Sequence, residues 1–309
     1  MPISSILGFL TKPKQTSGCL MTLLIIGGSG TLGKALCVES RRRGIAYNGL
    51  ARSGSEIELD IQDACALAGA VMAVKPTLVI NSAAIVDLAV CESDPGGAYA
   101  VNARPAAILA HTCREIGAKF VHISTDHFYL GDCDVAHDET ASVTLVNEYA
   151  RSKWAAESFA LTLPGTLVVR TNFTGWRGLQ NRPTFIEWAV RSLLDRSPLT
   201  LFNDFWTSTL DAPSLAKAIF DLSFKDASGI FNVASRTVST KQDFVAAVAC
   251  QMGIDLDWTV TGSVSGLTPM RADSLGLNVS KAETALGYNL PTLQQAITSL
   301  LSSRPTGYI

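Results

Sequence analysis

The chain has 309 residues, 47% hydrophobic and only 17% charged, which is ample apolar material for a large packed core. A net charge of −2, with no basic run longer than the three arginines at 41–43, excludes a surface built to track nucleic acid. Its seven cysteines are scattered without CxxC spacing, so they read as reduced thiols of a cytoplasmic protein, and the apolar stretches are too short or interrupted to cross a membrane.

Residues 1–20 contain a brief apolar run with no charge before it, a poor signal peptide, and read as a dispensable extension ahead of Met21. The run LLIIGG (23–28) is continuously apolar and ends in glycine, which predicts a strand buried on both faces. Helical spacing follows over 31–44, closed by Gly44. AYNGLAR (46–52) is a second strand, EIELDI (56–61) a short third, and DACALAGAVMAV (63–74) a helix. TLVINSAA (77–84), KFVHIST (119–125) and GTLVVRT (165–171) are further strands, each separated from the last by a helical segment. That alternation predicts an α/β doubly wound parallel sheet, a Rossmann-like domain over 21–171.

Beyond Thr171 the rhythm loosens. Helices are predicted at 183–196, 213–224 and 240–252, the last opened by Thr240, with a strand at 229–235. Residues 172–309 are expected to form mostly a smaller substrate lobe, with segments of about 211–250 returning to the first domain.

The loop GGSGTLG places Gly27, Gly30 and Gly33 three apart between the first strand and helix. Such a turn lets backbone approach a pyrophosphate while the helix N-terminus offers amides and a positive dipole end. Gly27, Gly30, Thr31, Leu32 and Gly33 are the expected phosphate set. The second strand then ends in Arg52 and Ser53, with no carboxylate before Glu56. A guanidinium there suits a ribose 2′-phosphate, so NADP(H) is expected over NAD(H).

EYARSKWAAE (148–157) carries Tyr149 and Lys153 four apart, one face of a helix. Taken with GGSGTLG, ELDIQD (58–63), the stretch 76–103, FVHISTDHFYLG (120–131), RTNFTG (170–175) and RADSLGLNVSK (271–281), it resembles the extended short-chain dehydrogenase/reductase superfamily. Within that superfamily the chain is most similar to the dTDP-4-dehydrorhamnose reductase family, which reduces a nucleotide-linked 4-keto sugar for cell-surface polysaccharide precursors. The resemblance implies Thr125, Tyr149 and Lys153 as the catalytic trio. It places Asp60, Ile61, Ala83, Ala84 and Asn102 along the cofactor, with Tyr149 and Lys153 also touching it, and Asp126, His127, Phe173 and Arg271 at the substrate. Tyr149 would protonate the ketone oxygen as the cofactor delivers hydride, Thr125 would donate to the same oxygen, and Lys153 would favour the phenolate. The family also implies a nucleotide-sugar partner and allows a homodimer.

Several positions depart from the family pattern: His127 and Leu130 after the Ser-Thr-Asp run, Phe173 for a tryptophan, and Ala89 and Val90 for an acid and a lysine. They cluster where the sugar is expected. His127 is either an acid–base group or a hydrogen-bonding wall residue. His111, His122 and His137 have no metal-ligand spacing, so no metal is expected. A sugar-nucleotide dehydratase or epimerase stays open as an alternative, although His127 stands where dehydratases carry a glutamate. A non-catalytic module, like the regulatory subunit of methionine adenosyltransferase that resembles this family, also stays open.

Overall fold

The computed structural model describes residues 21–305; the extension expected at 1–20 lies outside the described residues. In β1 (Thr22–Ile26), Leu23 and Ile25 face one apolar cluster while Leu24 and Ile26 face another. Alternation puts successive side chains on opposite faces, so a strand covered on both sides must be apolar throughout. The continuous run at 23–26 has that cause.

The first half continues as α1 (Thr31–Arg42), β2 (Ala46–Ala51), β3 (Ile57–Glu58), α2 (Ala64–Val74), β4 (Leu78–Asn81), α3 (Leu88–Ser93) and α4 (Pro95–Asn102). Then come α5 (Arg104–Ile116), β5 (Lys119–Ile123), α6 (Glu148–Ala160) and β6 (Leu167–Arg170). The sheet has seven parallel strands in the order β11-β6-β5-β4-β1-β2-β3, closed at one edge by β11 (Gly229–Asn232). This is the expected doubly wound sheet.

After Thr171 the chain forms β7 (Asn172–Thr174), α7 (Phe185–Leu194), β8 (Thr200–Phe202), β9 (Trp206–Thr207), β10 (Thr209–Asp211) and α8 (Ala212–Phe224). Past β11 it adds β12 (Ser239–Thr240), α9 (Lys241–Met252), β13 (Val260–Gly262), β14 (Ser274–Leu275), α10 (Ser280–Leu286) and α11 (Leu293–Ser302). Of the stretch 211–250, α8 shares the cluster of α1 and β11 joins the large sheet, while α9 packs with α7 and α11 about a separate cluster. Helices α7 and α9 start at capping boxes, Thr184 with Glu187 and Thr240 with Asp243. Each box satisfies amide donors that the first turn leaves unpaired.

Candidate active site

Strand β1 leads into α1 on one face of the sheet, whereas β4, its neighbour, leads by way of α3 and α4 to α5 on the other. Connections that part to opposite faces leave a crevice at the strand ends. A cleft of about 330 Å³ lies there, bounded by Gly27, Gly30, Arg52, Ser53, Asp60 and Ile61 on one side and by Ala83 and Ala84 on the other. Ser29, Gln62, Ser82, Ile85 and Val101 also line it, and the sequence did not single them out.

Gly27 has φ +85°, and a Cβ on it would lie 2.9 Å from both Ala83 N and Ser82 Oγ. A side chain there would push the walls apart. The other expected loop residues sit behind this wall. Leu32 is buried in the core, and Gly33 packs so closely that a Cβ would be 2.1 Å from Gly27 O. Thr31 Oγ1 accepts from Arg177 Nε at 3.2 Å. Helix α1 has no side-chain cap and no acid in its first turn, so its leading amides are left for a ligand. A guanidinium at the positive end of a helix dipole is favoured when an anion joins them. The site therefore fits a dinucleotide pyrophosphate.

Asn102 does not line the cleft. Fully buried, it accepts from Ile85 N at 2.7 Å and donates to Ile85 O at 3.0 Å and Ser152 Oγ at 2.9 Å, tying the wall after β4 to α6.

Thr125 follows β5, and Tyr149 and Lys153 rise from the start of α6, where Asn147 accepts from Ala150 N. All three are buried. Tyr149 packs with Leu88, Cys91 and Ala98 beside the cleft residue Ile85, with its hydroxyl toward Thr125. Burial pushes the phenol well above its ordinary value, and the Thr125 side chain opposes this. Lys153 Nζ donates to Ile123 O at 2.6 Å, and desolvation favours the protonated form of the phenol. The strand end carrying Thr125 is anchored from below: Ser124 Oγ donates to Glu157 Oε1 at 2.5 Å, and Glu157 takes two hydrogen bonds from buried Arg170 at 2.9 and 2.8 Å.

Asp126 is buried and accepts from Asn172 Nδ2 at 2.7 Å, with Thr125 Oγ1 at 3.3 Å from its other oxygen. Thr209 Oγ1 donates onward to Asn172 Oδ1 at 2.9 Å. Burial pushes the Asp126 carboxyl up to about 7, partly offset by Asn172 and by the charge of Lys241. His127 stands edge-on to Tyr149 at 5.5 Å between ring centroids. Burial, with the nearby Lys241 and Arg271, lowers it to about 3, which favours the neutral imidazole. Its Nδ1 and the Arg271 Nε are buried without a hydrogen-bond partner among the described residues. Lys241, which the sequence reading missed, lies over the rings of Phe185 and Phe205 at 4.2 and 5.7 Å and near Asp126 and Arg271. Phe173 packs against the large core cluster; its neighbour Asn172 is the residue that reaches Asp126. Only Thr240, which opens α9, flagged the region in sequence. The six cysteines among the described residues are free, no group of three metal-ligating side chains occurs among them, and no described helix is long and apolar enough to cross a membrane.

A seven-stranded doubly wound sheet with a buried Thr-Tyr-Lys set beside its crevice defines a Rossmann-like α/β protein of the extended short-chain dehydrogenase/reductase type. The chain belongs to the family described as RmlD substrate binding domain, whose profile matches residues 21–304. It is 29% identical over 291 residues to the probable low-salt glycan biosynthesis reductase Agl14 of Haloferax volcanii, covering 91% of this chain and 97% of the relative. It is 26% identical over 304 residues to the dTDP-4-dehydrorhamnose reductase of Salmonella typhimurium, covering 91% and 97%. The crystal structure of dTDP-4-dehydrorhamnose reductase from Bacillus anthracis in complex with NADP superposes with a TM-score of 0.83 at 22% identity, covering 92% of this chain and 99% of that one.

Proposed function

We propose that this chain is an NADPH-dependent reductase of a nucleotide-linked 4-keto sugar, acting in the cytoplasm in the synthesis of polysaccharide precursors. The observation that carries the reading is the buried Thr125–Tyr149 pair beside the cleft residue Ile85. One relative named above is a dTDP-4-dehydrorhamnose reductase and another a probable glycan biosynthesis reductase, which supports the substrate class.

NADPH, when bound, supplies the hydride. Gly27, Gly30 and the opening amides of α1 would hold its pyrophosphate, with Asp60 and Ile61, which line the same cleft, toward the adenine. Arg52 and Ser53 would take the 2′-phosphate. Glu56, the nearest carboxylate in sequence, is engaged by Gly49 N at 2.8 Å instead of facing a ribose hydroxyl. Tyr149, held as a phenol, donates its proton to the carbonyl oxygen, and Thr125 donates a hydrogen bond to that oxygen. Lys241 and Arg271 bind polar groups of the substrate across from Asp126, and His127 walls the pocket. A dehydratase reading lacks its second acid, because His127 is neutral where a glutamate would stand.

Incubating the full chain with a panel of nucleotide-linked 4-keto sugars and NADPH or NADH, and following nicotinamide absorbance and product stereochemistry, tests this. Net oxidation of NADPH with a 4-keto-6-deoxy sugar nucleotide is the expected result. Interconversion of epimers without net cofactor consumption, or no turnover across the panel, overturns it.

A further inference from the structure

Strands β4 and β5 are apolar along their buried lengths except at one adjacent pair. Asn81 and His122 are partners in the register, and both are fully buried. Residues two apart on a strand share a face, so the pair lies with Val79 and Phe120 on the side of the second apolar cluster. Two polar groups at positions that local patterning assigns to apolar ones mark functional demand rather than packing.

The pair is a chain that ends at Lys153. Asn81 Nδ2 lies 3.4 Å from His122 Nδ1, and His122 Nε2 lies 3.4 Å from Lys153 Nζ. Ala83 sets the orientation of the Asn81 amide, because its backbone N–H donates to Oδ1 at 3.2 Å. His122 is neutral: burial, then the neighbouring lysine, hold it well below its ordinary value. A neutral imidazole carries a single N–H. With the Asn81 NH2 facing Nδ1, that nitrogen accepts, and the ring proton sits on Nε2, pointing at Lys153. An ammonium has three donors and no acceptor, whereas a free amine has a lone pair. The chain is therefore satisfied in this arrangement when Lys153 is an amine that donates to Ile123 O and accepts from His122. When Lys153 is an ammonium, Nε2 must accept and the ring proton belongs on Nδ1. Asn81 must then turn its oxygen to the ring and give up Ala83 N–H, on the wall of the cofactor crevice.

We propose that His122 is a positioning residue whose tautomer exchanges with the charge of Lys153, so that Lys153 stays hydrogen-bonded both as an ammonium and as an amine. The protons balance. Lys153 gives its proton to solvent as it becomes an amine, and the ring exchanges Nδ1–H for Nε2–H through solvent with its own proton count unchanged. The groups that face this pair are Lys153 and Glu157 from α6 and Asn81 from β4, while β6 brings the apolar Val168. Burial pushes Lys153 down to about 8, against the pull of Glu157, which puts the exchange within reach of solution experiments. The tautomer exchange does not rest on the reductase reading.

Nitrogen-15 NMR of the His122 ring and the Lys153 amine, in the full chain without cofactor from pH 6 to 10, tests the exchange directly. The expected result is a ring proton on Nδ1 at low pH and on Nε2 at high pH, with the same midpoint as Lys153. A single tautomer throughout the Lys153 transition overturns the proposal. Asn81→Leu removes the NH2 that forces Nδ1 to accept, so the Lys153 midpoint is expected to rise by about one pH unit, tenfold in proton affinity. An unchanged midpoint in a folded Asn81→Leu protein overturns the proposal as well; should that variant not fold, the wild-type titration decides alone. Neither readout involves a sugar nucleotide, so a failed substrate screen leaves this test intact.

Discussion

The cofactor crevice and the substrate-side cluster lie at the same end of the molecule but are built differently. The crevice uses backbone amides, glycines and alanines from β1, β2 and β4, within about the first hundred residues. The cluster draws Asp126 and His127 from the end of β5, Asn172 from β7, Lys241 from α9 and Arg271 from the segment before β14. Backbone is common to every sequence, so a crevice made of it depends on glycine placement and sheet order. A cluster of charged side chains depends on which distant segments the packing brings together, and its burial makes each charge costly.

The largest expected effect separates chemistry from the crevice. Tyr149→Phe removes the proton donor and no crevice residue, so kcat should fall about 10³-fold while NADPH binding, followed by fluorescence titration, stays unchanged. Loss of both together would mean that the two regions are one energetic unit.

Asp126 gives a stability test of the cluster. Its carboxyl is raised from 3.8 to about 7, so the folded chain keeps a proton that the unfolded chain releases between those values. Stability must then fall as pH rises from about 4 to 7, and the loss persists above 7. Asp126→Asn should flatten that slope by a few kcal/mol, read from urea midpoints at pH 4 and pH 8.

Lys241→Met keeps the contacts with Phe185 and Phe205 and removes the charge. The substrate KM should rise about tenfold, the loss of one charged hydrogen bond, with cofactor affinity unchanged. The Asp126 carboxyl should move above its present value, because Lys241 pulls it down. The smallest effect belongs to the exposed Arg52. Arg52→Ser should lower the preference for NADPH over NADH about fivefold, measured as a ratio of kcat/KM values, the size of an exposed ion pair.

Much of the crevice was legible in the chain. Gly27, Gly30, Arg52, Ser53, Asp60, Ile61, Ala83 and Ala84 all line it, because one βαβ unit places its loop by local geometry. The Leu32 side chain and the Cα of Gly33 pack behind the loop, where the helix meets the sheet, which leaves only their backbone amides for a ligand. On the cluster side, Asp126, His127 and Arg271 lie together near Lys241, whereas Phe173 turns to the core and Asn172 takes its place beside Asp126. Strands β7, β9, β12 and β14 are two or three residues long, too short for alternation to show. Sequence spacing put Lys153 on the helix face of Tyr149, and only the packed strand end reveals that its Nζ meets Ile123 O and His122.

What the residues alone determined is the doubly wound sheet, its cofactor turn and the presence of Thr125, Tyr149 and Lys153, since periodicity and glycine placement act over a few neighbours. What tertiary structure decided is the protonation of those groups and their company. Desolvation and long-range pairing set both, and neither is a property of any local stretch of chain.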